Sequence, residues 1–208
     1  MPYYNKNIKC VIVGDNASGK KTLLFSYIAK QPELNDLPAI YKPPSTQITI
    51  GKYHINLLLC DTKGDDKYDR IRPLCYPDTD IFIICFSLID ASTLDHVRTK
   101  WYPEIENYCK NNVPILLVGT KLDLLKDKKL DIGNKTMKEF DGREQEHDIE
   151  RIYCQTGLEM AKTIGAEKYI ECSAMDNKSV EIVFESAAKM VLFGSPTSLN
   201  KRKRGCCL

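Results

Sequence analysis

The sequence predicts an α/β fold: a mostly parallel six-stranded sheet with one antiparallel edge and helices on both faces. Three observations carry that expectation. Short, partly β-branched apolar runs alternate with segments of helical spacing, which is the pattern of βαβ units. Several of those runs are apolar on consecutive residues, as strands covered on both faces must be. Two of them have the Gly51-Lys52 pair in the four residues between them, a connection short enough for a hairpin and too short for a crossover helix.

The elements follow in order. The first strand is expected at Ile8–Val13, and Lys20–Ala29 after it has helical spacing. Gln47–Ile50 and Ile55–Cys60 flank the glycine-lysine pair and form the antiparallel edge. Ile81–Phe86 and Pro114–Gly119 read as buried strands, joined by a helix over Ser92–Asn111. A helix at Thr156–Ile164, a short strand at Lys168–Glu171 and a helix at Ser179–Leu192 complete the alternation. The segment from Lys126 to Arg151 departs from it. Rich in Lys, Asp and Glu and broken by Gly133 and Gly142, it is expected to be a solvated surface insertion with one short helix.

Composition narrows the class. A chain of 208 residues and 23.7 kDa is expected to build one domain, since two cores would each fall near the size where burial becomes marginal. Apolar residues at 43% and charged residues at 28% are globular values, which argues against a collagen, a disulfide scaffold or a disordered chain. The longest apolar run, Ile81–Ile89, is interrupted by Ser87 and falls far short of the roughly 20 residues a spanning helix needs. Met1 to Lys6 has no apolar leader, and position 2 is not the glycine that myristoylation requires, so the expected location is the cytosolic side. Nine cysteines without a C-x-x-C pair leave zinc-ribbon and thioredoxin readings without their spacing; most are expected to be small core residues. A net charge of +2 predicts no nucleic-acid partner. Lys201, Arg202, Lys203 and Arg204 account for more than that whole excess, so the cationic character lies in the tail.

In open, mostly parallel sheets ligands collect beyond the carboxyl ends of the strands. After the first strand come Gly14-Asp15-Asn16-Ala17-Ser18-Gly19-Lys20, then Lys21 and Thr22. Glycines at this spacing let backbone N–H groups turn inward around a phosphate chain at a helix start, and Lys20 reaches the outer phosphates. As far as Lys20 the phosphate-loop pattern is complete. The next position needs Ser or Thr, whose hydroxyl oxygen ligates magnesium, yet here it is Lys21. A protonated lysine has no lone pair. An ammonium held about 4 Å from Mg²⁺ would meet roughly 8 kcal/mol of bare repulsion at an effective dielectric of 20. Thr22 does not replace the ligand, because one residue along a helix rotates a side chain by about 100°. The alternative is a Lys21 turned to solvent, with magnesium held by phosphates and water.

Further motifs lie at the ends of later strands. Asp61-Thr62-Lys63-Gly64 follows the third strand and leads to Tyr68-Asp69-Arg70-Ile71-Arg72-Pro73-Leu74-Cys75-Tyr76-Pro77. Phe86-Ser87, Lys100-Trp101-Tyr102-Pro103-Glu104, Thr120-Lys121-Leu122-Asp123 and Glu171-Cys172-Ser173-Ala174 follow. With the phosphate loop, these residues resemble the Rho/Rac family of small GTPases, within the Ras superfamily, from Ile8 to about Phe193. The resemblance implies a P-loop small G domain over residues 1–193, with a Rho-type insert at about 126–151, and a flexible basic tail over 194–208. It implies GTP or GDP and Mg²⁺ as cofactors. By resemblance Thr120, Lys121 and Asp123 read guanine, the Asp123 carboxylate accepting from the base's N1 and N2 donors, while Ser173 and Ala174 form a second guanine element whose Ala174 N–H meets O6. Asp61 is expected to hold magnesium through water, Gly64 is expected to contact the nucleotide, and the second switch carries Asp65. Effector proteins, exchange factors and GDP-dissociation inhibitors are the implied partners.

The departures from that family fall on magnesium and the γ-phosphate. The effector loop Asp36-Leu37-Pro38-Ala39-Ile40-Tyr41 has Ala39 where the family has a magnesium-ligating threonine. Asp65, the degenerate catalytic position, stands where the family's glutamine orients the attacking water, with Asp66 beside it; carboxylates there add repulsion where charge must be stabilised. Asn16 replaces a glycine, Lys63 an alanine, and Pro32 an aromatic against the base. The arginine finger and water-orienting parts of such GTPases are worth about 10⁵ in rate, or roughly 7 kcal/mol of barrier. Hydrolysis is therefore expected to be slow or absent.

The family's lipidated, basic C-terminus has a counterpart in Lys201-Arg202-Lys203-Arg204-Gly205-Cys206-Cys207-Leu208. Each basic residue near an anionic leaflet is worth about 1 kcal/mol, and one lipid chain alone is marginal. Gly205 occupies the place where a C-a-a-X box needs its cysteine, so Cys206 and Cys207 are the lipidation candidates, by a Rab-like double prenylation or by palmitoylation. An unmodified basic tail or a nuclear-targeting run is the alternative. The expected location is the cytoplasmic side of the cell membrane with a cytosolic pool. Three functional readings stay open: a Rho/Rac-like signalling protein acting on actin-regulating effectors, a nucleotide-independent adaptor on the same fold, and an ordinary cycling GTPase.

Overall fold

Six strands form one sheet in the order β2-β3-β1-β4-β5-β6, in a computed structural model that describes residues 4–29, 45–109, 113–127 and 154–194. They are β1 (Tyr4–Val13), β2 (Ser45–Ile50), β3 (Tyr53–Asp61), β4 (Ile81–Ser87), β5 (Ile115–Thr120) and β6 (Lys168–Glu171). Only β2 and β3 pair antiparallel, and the other pairings are parallel. The expected sheet, with its antiparallel edge at Gly51-Lys52, is therefore observed. Because β1, β3, β4, β5 and β6 run the same way, the loops after them gather along one edge. The loop after β1 leaves between β3 and β4, where the strand order reverses.

The helices are α1 (Lys20–Ala29), α2 (Ala91–His96), α3 (Tyr102–Tyr108), α4 (122–127), α5 (154–163) and α6 (Asn177–Phe193). They cover both faces of the sheet, and the period-two alternation of strand side chains shows how. From β4, Ile81, Ile83 and Cys85 join a layer with Leu23 and Leu24 of α1 and Val183 and Phe184 of α6. Phe82, Ile84 and Phe86 point the other way, to Val97, Trp101, Ile105, Ala161 and Ile164. All seven residues of β4 are buried, and each large apolar side chain so placed contributes about 1.5–3 kcal/mol. A stacked Tyr27–Phe184 pair with centroids 4.0 Å apart ties α1 to α6. No helix among the described residues is long and apolar enough to cross a membrane.

Several expected boundaries need correction. β1 begins at Tyr4 rather than Ile8, because the exposed residues Tyr4 to Asn7 pair with Tyr53 to Asn56; ladder hydrogen bonds extend the strand where apolarity gives no signal. β5 begins after Pro114, whose carbonyl accepts from the Phe82 N–H at 3.0 Å. The helix expected over Ser92–Asn111 is α2 and α3 joined by a π-helical segment, Val97–Trp101, and it ends at Tyr108. Pro103 in the first turn of α3 explains the widening, since its ring and missing N–H disrupt the turn before it. Two 3₁₀ turns, Asp66–Tyr68 and Arg72–Cys75, and the short α4 had no periodicity to reveal them. Cys10, Cys85 and Cys172 are core residues as expected, but Cys60 and Cys109 are half-buried and Cys75 and Cys154 exposed. Most of the 126–151 segment lies outside the described residues, as does the tail.

Candidate functional site

The loop between β1 and α1 closes on itself. Gly14 has φ 143°, and a Cβ there would lie 2.2 Å from the Cys85 carbonyl oxygen, so only glycine fits beneath β4. Ala17 at the loop tip takes the left-handed φ of 60°, a conformation costing a side-chain-bearing residue roughly 1–2 kcal/mol. The buried Lys20 folds back across the loop, its Nζ donating to the carbonyls of Gly14 at 2.7 Å and Asp15 at 2.6 Å. Burial lowers its pKa, opposed by Cys85, Asp61 and Asp15. Lys21 and Thr22 stand in the first turn of α1, both half-buried.

Asp15 fixes this loop to the neighbouring helix. Its Oδ1 accepts from Trp101 Nε1 at 2.7 Å, and its Oδ2 lies 2.6 Å from His96 Nδ1. Both carboxylate oxygens are thus held from the α2–π–α3 rod. Nothing in the loop motif announces these partners. The chain's single tryptophan was the available signal, and the π turn is what presents its indole inward.

The segment after β3 packs directly on the loop. A Cβ on Gly64 would lie 2.4 Å from the Asn16 nitrogen and 2.6 Å from the Gly14 carbonyl oxygen, a backbone approach that again requires glycine. Beside it the Asn16 Nδ2 donates to Asp65 Oδ1 at 3.1 Å. Two of the unexpected residues are therefore bonded to each other. Asp66 pairs with Lys100, which holds its carboxyl below the usual range. Arg72 is the buried centre of this region. Its guanidinium donates to Glu104 at 2.9 and 2.5 Å, to Asp69 at 2.5 Å and to the Lys63 carbonyl at 2.8 Å, and it lies 4.5 Å from the Trp101 ring centroid. Tyr76 donates to the same Glu104. The second switch is pinned to α3 and the π segment through this network.

Asp61 ends β3 with its Oδ1 buried and without a hydrogen-bond partner among the described residues. Burial raises its pKa, opposed by the charges of Lys20, Lys63 and Lys21. An orphan carboxylate oxygen suits a metal-bound water. The rest of the described donor set does not fit a magnesium ion held directly by the protein, because the position that needs a hydroxyl oxygen carries Lys21. Three lysines bring positive charge to Asp61 where such a site would use the metal.

On the far side, Thr120 at the end of β5 donates through Oγ1 to the Ser18 carbonyl at 2.6 Å, with the Phe86 carbonyl at 3.0 Å. This joins the phosphate loop to the loop after β5. Lys121 takes φ 63°, and Asp123 stands in the first turn of α4 beside it. Ser173 Oγ donates to Asp123 Oδ1 at 2.7 Å and accepts from the Met175 N–H at 3.0 Å. The hydroxyl fixes one carboxylate oxygen and so sets the direction of the other. Ala174 follows in the turn after β6.

The structure thus brings together Gly14 to Thr22, Asp61, Gly64 and Asp65, and joins them through Thr120 to Lys121, Asp123, Ser173 and Ala174. Asp36, Leu37, Pro38, Ala39, Ile40, Tyr41, Cys206 and Cys207 lie outside the described residues. No group of three or more His, Cys, Asp or Glu among the described residues could hold a metal ion. Compared with known protein families, residues 9–193 match the model of the Ras family. That stretch contains every loop of the site.

Proposed function

The chain belongs to the Ras family of small GTP-binding proteins, and on that premise we propose that it is a Rho/Rac-like signalling protein whose GTP hydrolysis is slow or absent. Ras-family GTPases bind GTP or GDP with Mg²⁺. The observation that carries the proposal is the 3.1 Å bond between Asn16 and Asp65. The two positions on which water orientation and access of an activator's arginine depend are engaged with each other across the phosphate loop. Asp65 is an acceptor when ionised, and the Asn16 amide holds one of its two carboxylate oxygens. Lys20 remains to hold phosphate, and the Ser173–Asp123 bond supports guanine reading. Magnesium dependence is reduced because Lys21 supplies charge in place of a metal ligand. By this reading the protein signals through its abundance and place at the membrane, held by the basic tail and Cys206 or Cys207, and acts on actin-regulating effectors.

One observation favours a second reading. The Lys20 ammonium already donates to two loop carbonyls, so the loop keeps its shape by internal bonds, as an adaptor that works without a nucleotide cycle would need. Protein purified under native conditions and denatured for nucleotide chromatography separates the cases. GTP in the released fraction is the expected result. An empty fraction supports the adaptor, and GDP with activator-stimulated turnover supports an ordinary cycling GTPase.

A further inference from the structure

At the end of the sheet away from the phosphate loop, the start of β1, the β2–β3 hairpin and the last turn of α6 meet in an aromatic and basic surface. Tyr4 pairs in register with Tyr53, and its N–H donates to the Lys52 carbonyl at 3.0 Å. The Tyr4 and Tyr53 rings lie 5.7 Å apart, and the Tyr53 and Phe193 rings meet edge-on at 5.9 Å. Lys52 Nζ sits 5.2 Å from the centroid of Tyr4. Tyr4 is 51% and Phe193 55% exposed, so this cluster is not the lid of a finished core. Exposed aromatics in contact are costly unless something covers them.

Charge identifies the cover. Residues 4–8 and 45–60 contain Lys6 and Lys52 and no Asp or Glu, and α6 has none after Glu185. Around the rings these three neighbouring segments carry lysines and no carboxylate of their own. Phe193 is also where the chain leaves the fold, α6 ending at Gly194 with φ 72°. Eight residues after Phe193 the run Lys201 to Arg204 begins, within about 29 Å of it even if the chain is fully extended. Wherever that run rests on negative charge, this face is drawn to the same surface.

We infer that the Tyr4–Tyr53–Phe193 face, flanked by Lys6 and Lys52, docks on an anionic phospholipid bilayer. Aromatic rings with an apolar body and a polar edge suit the headgroup layer, and the lysines add to the attraction of the tail. β1 runs ten residues from this face to the phosphate loop, about 33 Å at 3.3 Å per residue. A domain docked this way holds its nucleotide loops away from the bilayer, open to soluble partners. The inference rests on the reading of the tail as a membrane anchor.

The test uses the full chain with phosphatidylcholine–phosphatidylserine vesicles and with phosphatidylcholine alone as control. K6E/K52E, with the tail intact, is expected to lower partitioning onto the anionic vesicles by at least about tenfold. The F193W variant is expected to show an emission shifted to the blue on those vesicles and quenched by brominated acyl chains, while buried Trp101 stays constant. All three substituted positions are exposed, so unchanged thermal melts serve as the folding control. If K6E/K52E pellets as the unaltered chain does and F193W emission does not change, the tail binds alone, and the docking face is overturned while the anchor stands. A full chain that ignores phosphatidylserine overturns both.

Discussion

Lys21 separates this chain from a metal-dependent nucleotide site more sharply than any other residue. A hydroxyl at its position would give magnesium an oxygen ligand, whereas the ammonium gives only charge, and that charge acts on Asp61. GDP release from the unaltered protein should therefore change little on chelation of magnesium. In K21T/A39T, chelation should accelerate release by about tenfold or more. Stopped-flow release of a fluorescent GDP with and without EDTA measures both, and equal sensitivity in the two proteins would remove Lys21 from the account. Lys21 was legible in the sequence because the phosphate-loop motif fixes its position by counting from Gly14. The partners of Asp15 were not. His96 and Trp101 lie 81 and 86 residues away in the chain, and no local pattern encodes a contact made across two elements.

Strands and helices followed their periodicity where packing decides them, as β4 and β6 did, and departed from it where backbone geometry decides. The π turn at Val97–Trp101 is such a departure, and the second switch depends on it because Trp101 supports both Asp15 and Arg72. Arg72 is 3% exposed and joins its own 3₁₀ turn to Glu104 of α3. Removing one partner of a buried ion pair leaves the other uncompensated, at a cost of about 3–5 kcal/mol. Arg72→Ala should lower unfolding free energy by that amount in urea melts. Arg72→Lys should recover only part of it, since lysine cannot reproduce the fork of donors to Glu104 and Asp69. An Arg72→Ala loss below about 1 kcal/mol, the range of surface pairs, would show that the network does not fasten the switch.

For the whole molecule, the two-layered core carries a pH signature. Burial, then Asp123 and Asp176, pushes the Cys172 thiol from 9.0 up to about 12, and Cys10 and Cys85 move the same way, chiefly by burial. Below pH 9 these thiols are protonated both folded and unfolded. Above it they ionise in the unfolded chain first, so the unfolded state binds fewer protons and stability falls as pH rises from about 9 toward 12. Tyr27, Tyr76 and Tyr169, also shifted upward mainly by burial, steepen the fall from about pH 10. Urea midpoints measured under reducing conditions should decline over this range, with a shallower slope in Cys10→Ala/Cys85→Ala. A flat profile would mean that the core opens to solvent.

At this scale the mostly parallel sheet, its antiparallel edge and both covered faces were readable from alternation and the Gly51-Lys52 turn, because a parallel sheet leaves few other ways to bury its strands; the strand order was not. The relation between the loops was less so. Asn16 and Asp65 each read as a departure from the family; that they bond to each other depends on Gly64 lying against the loop, which only the folded chain shows. The proposed function turns on that arrangement, with the Asp123–Ser173 side proposed to read the base and the Asn16–Asp65 side proposed to slow hydrolysis. Single-turnover phosphate release from bound GTP, in saturating Mg²⁺, tests it most directly. The predicted rate is below the roughly 3–5 × 10⁻⁴ s⁻¹ of unassisted Ras, with only a weak dependence on magnesium. Magnesium-dependent release at that rate or faster would contradict it.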